Sequence, residues 1–196
     1  MIYELIETGR ASALFAGWQD SVVWSALQGV MGKIYVDSLE KPESGVAMLG
    51  DFCFLSGKPD SEIILGALAN SASEEVILVP QNDDWAQMIV ECYGEKAEKA
   101  LRYAIKKEPG IFDLEKLLKV TEKLPKEYEM RLIDQSLFEI CRDTQWSKDL
   151  TANYESYSQY KEYGLGVCIL TGGEVVAGIS SYSGYGRRSD ENLGCH

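Results

Sequence analysis

The stretch from Gly164 to Tyr182, GLGVCILTGGEVVAGISSY, constrains the fold more than any other part of the chain. Val167 to Leu170 is a compact apolar run, Thr171-Gly172-Gly173-Glu174 is a glycine turn, and Val175 to Ile179 returns with β-branched residues. Together they predict two paired strands. A hairpin this apolar expects a further strand or a helix against it, because an isolated pair is marginal in water. The C-terminal GYGRRSDENLGCH is polar and predicts an irregular tail over residues 183–196.

The hairpin has enough chain behind it to build a core. At 196 residues and 45% hydrophobic composition the sequence suits one large or two small domains. Its formal net charge of -12 argues against a nucleic-acid surface, which needs clustered Lys and Arg to neutralise phosphates. The N-terminal MIYELIETGRAS shows no secretory pattern, and no apolar run is long enough for a membrane span. Cys53, Cys92, Cys141, Cys168 and Cys195 are odd in number and scattered without C-x-x-C spacing. That favours reduced thiols in a cytoplasmic protein over a disulfide frame or a zinc site, so no metal is expected. The only histidine is His196, which excludes mechanisms built on an internal histidine base.

Read in order, the chain alternates elements. Leu5 to Val30 carries apolar positions at helical spacing, with Gln19-Asp20-Ser21 as a break and cap between two pieces. A strand is expected over residues 33–37, a turn over 38–45 and one longer strand over 46–55. Next come a helix from Asp60, a short strand over 76–79 and a helix capped by Asn82 and ended by Gly94. Residues 99–106 read as a strand, and Asp113 caps a helix carrying Leu114, Leu117, Leu118 and Val120. Glu129 to Ile133 then reads as a strand and Asp134 as the start of a helix. Tyr154, Tyr157, Tyr160 and Tyr163 recur at about one helical turn, which favours a half-buried stripe over a pocket lining. The pattern is α/β, with expected units at 1–126 and 127–182.

Three motifs suggest chemistry and fail on their own geometry. In Gly50 to Lys58 the spacing is too long for a phosphate-binding loop, and Pro59 stands where a magnesium-ligating hydroxyl belongs. Gly178-Ile179-Ser180-Ser181-Tyr182 lacks the second glycine of a nucleophile elbow and any upstream histidine. Lys161-Glu162-Tyr163-Gly164-Leu165-Gly166 approaches a pyrophosphate-binding loop, but such a loop needs a strand before it and a helix after it. Here the order is reversed, and a plain helix exit into a strand is the better reading.

From Trp18 to Tyr182 the chain resembles the two-part GCN5-related N-acetyltransferases of the zwittermicin-A-resistance type. The resemblance is carried by Tyr128-Glu129-Met130-Arg131-Leu132-Ile133-Asp134, by Trp146-Ser147-Lys148-Asp149, by Gly164 to Cys168, and by Val176 to Tyr182. It implies a divergent N-terminal α/β domain followed by an incomplete mixed-sheet acetyltransferase domain, whose first strand, first two helices and next hairpin lie in 129–182. It also implies acetyl-coenzyme A as cofactor and a small-molecule amine as substrate. The family's next strand, its Arg-x-x-Gly-x-Ala-type loop and the helix after it have no counterpart after Tyr182, so the terminal sequence reads like a truncation or a shifted frame. In such enzymes the amine attacks the thioester directly, and no protein nucleophile is needed. Trp146, Ser181 and Tyr182 are the substrate-facing candidates, while catalytic and cofactor-binding residues are unknown at this level. The competing expectation is a non-catalytic remnant or interaction protein that self-associates through the exposed edge of the hairpin.

Overall fold

The computed structural model describes residues 1–71, 75–103, 108 and 110–186. Strands β1 (Tyr3–Glu4), β2 (Lys33–Val36), β3 (Ser44–Leu49), β4 (Phe52–Gly57) and β5 (Ile77–Val79) form one sheet in that spatial order. All neighbours are antiparallel except β4 and β5, which run parallel through the crossover helix α2 (Ser61–Asn70). The central strand β3 is buried at all six positions. Alternation divides its neighbours between two cores. Ile34, Val36, Ala47, Leu49 and Phe54 face one cluster, and Tyr35, Val46, Met48, Cys53 and Leu55 face the other.

Helices cover both faces. Helix α1 (Ser21–Leu27) supplies Val22, Val23 and Ala26 to the first cluster, while α2 and α3 (Asp83–Tyr93) bring Ile63, Ile64, Ala67 and Trp85 to the second. Trp85 is wholly buried, and its indole N–H donates to the Gly57 carbonyl at 3.0 Å, which removes the cost of hiding that donor.

The second sheet is smaller. Strands β6 (Glu129–Leu132), β7 (Gly166–Thr171) and β8 (Glu174–Ser180) are antiparallel in that order, and the β7–β8 turn places Gly172 and Gly173 at φ 57° and 86°. Those positive angles are the ones a two-residue hairpin turn demands, so the predicted hairpin is formed. Between α3 and β6 lies α4 (Leu114–Thr121), with exposed residues throughout. Helix α5 (Gln135–Asp143) and helix α6 (Tyr157–Tyr163) pack on one face of the small sheet through Leu137, Phe138, Cys141 and Tyr160. Each of the six α-helices among the described residues is capped by an Asp, Asn or Ser accepting a backbone N–H: Asp20, Asp60, Asn82, Asp113, Asp134 and Ser156.

Several expectations change. The single strand expected over 46–55 is two strands, because Gly50 adopts φ 59° and turns the chain at Gly50-Asp51. The first helical piece is a short 3-10 turn at Thr8–Ala11 followed by turns, and β1 had no signal in the sequence. Residues 99–103 are neither helix nor strand, and the rest of the strand expected there, residues 104–106, lies outside the described residues. Within the expected irregular tail, residues 183–186 form no element yet Ser183 and Gly184 are buried; residues 187–196 lie outside the described residues.

Candidate functional site

The seam between the two sheets is built where β8 runs out. Ser180, Ser181 and Tyr182 leave the strand in succession and each hydroxyl finds a partner. The Ser180 Oγ lies 3.0 Å from the Tyr160 hydroxyl, and the Ser181 Oγ lies 2.8 Å from the Tyr154 hydroxyl. Ser181 Oγ also accepts the Leu165 backbone N–H at 3.0 Å, while its own N–H donates to the Leu165 carbonyl. Tyr154 and Tyr160 meet edge to face at 4.9 Å, so the predicted tyrosine stripe is a structural one, with Tyr154 and Tyr160 buried.

Tyr182 crosses the seam. Its O–H lies 2.6 Å from Asp51 Oδ1 and 3.0 Å from the Leu49 carbonyl, two acceptors on the β3–β4 turn, and its oxygen accepts the Asp51 N–H at 3.2 Å. Gly50 is required here, because its φ is 59° and a Cβ would strike the Tyr182 hydroxyl and come within 2.9 Å of Asn153 Oδ1. Asn153 Nδ2 donates to the Tyr182 carbonyl at 3.1 Å. The ring packs edge-on to Phe52 at 5.2 Å, Phe52 lies 6.0 Å from Phe54, and Phe54 meets Trp18 edge-on at 5.1 Å. Arg102 sits 4.9 Å over the Phe52 ring, a cation–π contact at the rim.

Beyond Tyr182 the chain is strapped across α1. Ser25 Oγ donates to the Gly184 carbonyl at 2.6 Å, and Ser183 Oγ donates to Ser21 Oγ at 2.8 Å. The Gln28 amide pairs with both backbone groups of Gly186, accepting its N–H at 2.8 Å and donating to its carbonyl at 3.4 Å. Trp24 meets Tyr185 edge-on at 5.3 Å. Residues 21, 24, 25 and 28 fall on one helical face, so a single stripe of α1 and its C-cap holds most of the strap, with the Met31 sulfur accepting the Gly184 N–H at 3.4 Å beyond it.

The electrostatics limit the chemistry. Burial, and then the hydrogen bond to Asp51, push the Tyr182 phenol up to about 12, so it is a neutral donor near pH 7. Burial likewise raises Tyr154 and Tyr160. Cys53 and Cys168 are pushed up to about 12, chiefly by burial, and are poor nucleophiles. Hydrogen bonding and orientation remain.

Of the three candidates, Ser181 and Tyr182 are neighbours at the seam: Tyr182 bonds across to the β3–β4 turn, while Ser181 ties Tyr154 and Leu165 together on the side of the small sheet. Trp146 is apart from them: it is 50% exposed in the turn after α5, and it makes no hydrogen bond or ring contact with either among the described residues. Asp51, Asn153 and Tyr154 complete the seam; the sequence marked Tyr154 only as part of the tyrosine stripe, and Asp51 and Asn153 not as site residues. The Gly50-Asp51 pair, a turn signal between two apolar runs, could have pointed to the first of them.

Known proteins bear on this arrangement. A family model for the GNAT acetyltransferases matches residues 12–189. The chain belongs to the GNAT acetyltransferase family. Among solved structures it is similar to a GCN5-related N-acetyltransferase-like protein from Streptococcus suis, at 40% identity and a TM-score of 0.81, over 91% of this chain and 71% of that one. No curated protein matches the chain. The two-sheet α/β architecture agrees with a GNAT fold.

GNAT enzymes use acetyl-coenzyme A, whose pyrophosphate needs convergent backbone N–H groups. The Gly164-Leu165-Gly166 segment does not offer them. The Gly164 N–H donates to the Tyr160 carbonyl at 2.7 Å, and the Leu165 N–H is taken by Ser181. A Cβ at Gly164 would lie 2.6 Å from the Tyr160 ring, so the segment is packed shut. That segment therefore does not fit the pyrophosphate. The small sheet leaves β8 with one unpaired edge among the described residues.

Proposed function

We propose that this GNAT protein is of the zwittermicin-A-resistance type and serves acetyl transfer from acetyl-coenzyme A to the nitrogen of a small-molecule amine in the cytoplasm. The observation that carries the reading is the family match across 12–189. The seam fits that chemistry by what it lacks as well as by what it holds, since neutral hydroxyl donors and deeply buried thiols suit a direct transfer between bound reactants rather than a protein-bound intermediate. In that transfer the amine nitrogen bonds to the acetyl carbon, the carbon–sulfur bond breaks, and the departing thiolate takes up a proton. The proposal includes that the chain by itself is deficient in holding the cofactor's pyrophosphate, supported by the spent N–H groups at 164–165. The expected units remain 1–126 and 127–182, although one apolar cluster draws on both, joining Phe15 and Val23 to Leu137 and Tyr154.

Calorimetric titration with acetyl-coenzyme A, paired with release of free coenzyme A thiol in the presence of an amine panel, tests the reading. Saturable binding with amine-dependent thiol release is expected, and weak affinity would fit the missing pyrophosphate contacts. No binding at millimolar ligand and no thiol release would overturn it. Trp146→Ala separates a substrate role from packing: a raised KM for the amine with unchanged thermal stability assigns the ring to substrate.

A second reading, a non-catalytic protein that self-associates through β8, is favoured by one observation. The outer edge of β8 is unpaired among the described residues, and Val176 and Ile179 are 45% and 73% exposed. Light scattering would show a dimer that Val176→Pro abolishes; a monomer at high concentration removes this reading.

A further inference from the structure

Two thiols in the second half face each other with no part in the seam. Cys141 on α5 and Cys168 on β7 are both fully buried, and their sulfurs are 3.7 Å apart. Disulfide sulfurs sit about 2.0 Å apart, so a modest rotation of the two side chains separates contact from bond. Their placement is specific: Cys168 occupies the middle strand of the three-stranded sheet, and Cys141 lies on the face of α5 that also carries Leu137 and Phe138 into the core. Cys53 and Cys92 sit elsewhere, on β4 and α3.

We propose that Cys141 and Cys168 form an oxidisable pair that staples α5 to β7. With hydrogen peroxide as oxidant, one sulfur attacks the O–O bond as a thiolate, becomes a sulfenic acid and releases hydroxide. The second sulfur then displaces hydroxide from the sulfenic acid and the S–S bond forms. In sum, two thiols lose two electrons and two protons, and one peroxide becomes two waters. Enclosure decides the outcome of the first step: a sulfenic acid formed here has the partner thiol beside it and bulk peroxide outside, so closure outruns further oxidation. Enclosure also sets the rate. Burial holds the Cys168 thiol protonated and out of reach, so oxidation waits on local opening of α5 from the sheet.

Peptide mapping tests this on the intact protein. Trypsin leaves Cys141 and Cys168 in separate peptides, 132–142 and 162–187. After peroxide treatment, acid quenching and alkylation in denaturant, the two peptides are expected to appear linked, with the link removed by dithiothreitol. Sub-denaturing urea is expected to accelerate linkage several-fold, whereas in Cys141→Ala no linked species forms and Cys168 stays alkylatable. Cys168→Ala is the reciprocal control should the first variant fold poorly. Full alkylation of both cysteines after prolonged oxidation would overturn the proposal, as would linkage of either one to Cys92 or conversion to sulfinic acid in place of the bond.

Discussion

The two sheets of this molecule are covered differently. The five-stranded sheet has a core on each face, with β3 buried end to end, whereas among the described residues the three-stranded sheet is covered only on the face carrying Cys168 and Leu170. Its other face presents Met130, Leu132 and Ile179, which are 46%, 65% and 73% exposed. Register puts them together, since Met130 pairs with Ile169, Leu132 with Val167, and Val167 with Ile179. The same residue types that stabilise the first sheet thus contribute little on the outer face of the second. Apolar side chains stabilise in proportion to the area they remove from water.

The contrast can be broken by a charge placed in each sheet. Val46→Asp, at a position with no exposure on β3, is expected to leave the protein unfolded or destabilised by more than about 4 kcal/mol, because a carboxylate would be buried without a partner. Ile179→Asp should cost the least of any variant here by urea titration, within about 0.5 kcal/mol. Equal losses would show that the outer face is covered in solution.

Between those extremes, Phe138→Ala should cost about 3–5 kcal/mol by denaturant titration, since its buried ring touches Tyr157, Tyr160 and Arg142. A loss near zero would mean that even the covered face of the small sheet is loosely packed. Tyr182→Phe removes the hydroxyl that spans the sheets and should cost about 1 kcal/mol. It also carries a pH signature. The folded-state phenol is raised to about 12, above its unfolded value, so its contribution is complete below about pH 10 and is lost as pH rises towards 12. Unfolding curves at alkaline pH should therefore fall less steeply for Tyr182→Phe than for the parent, and parallel slopes would sink the assignment.

The same contrast explains which parts of the fold were legible. The caps at Asp20, Asn82, Asp113 and Asp134 and the Gly172-Gly173 hairpin are local devices, settled by residues within a turn of one another. The β3–β4 turn was passed over because Val46 to Leu55 is otherwise apolar, as strands of a doubly covered sheet are, so periodicity carries no signal there and only the Gly50-Asp51 pair marks the turn. In the candidate site, Ser181 and Tyr182 stood out through the hairpin, but their partners are remote: Asp51 is 131 residues from Tyr182. Nothing local to Asp51, Asn153 or Tyr154 marks them as a set. Trp146 drew notice as a large aromatic in a break, and the fold leaves it outside that set.

The strap over α1 has a consequence for how such chains diverge. Ser25 and Gln28 grip carbonyl and N–H groups of 184 and 186, not their side chains. Recognition of that kind is blind to most substitutions in the strap, while any change to the helix stripe is felt at once. Gly184 is the exception, because a Cβ there would collide with the backbone of Tyr163. Relatives could therefore vary at Tyr185 and keep the same join, with Ser25, Gln28, the Ser21–Ser183 hydroxyl pair and one glycine as its written trace.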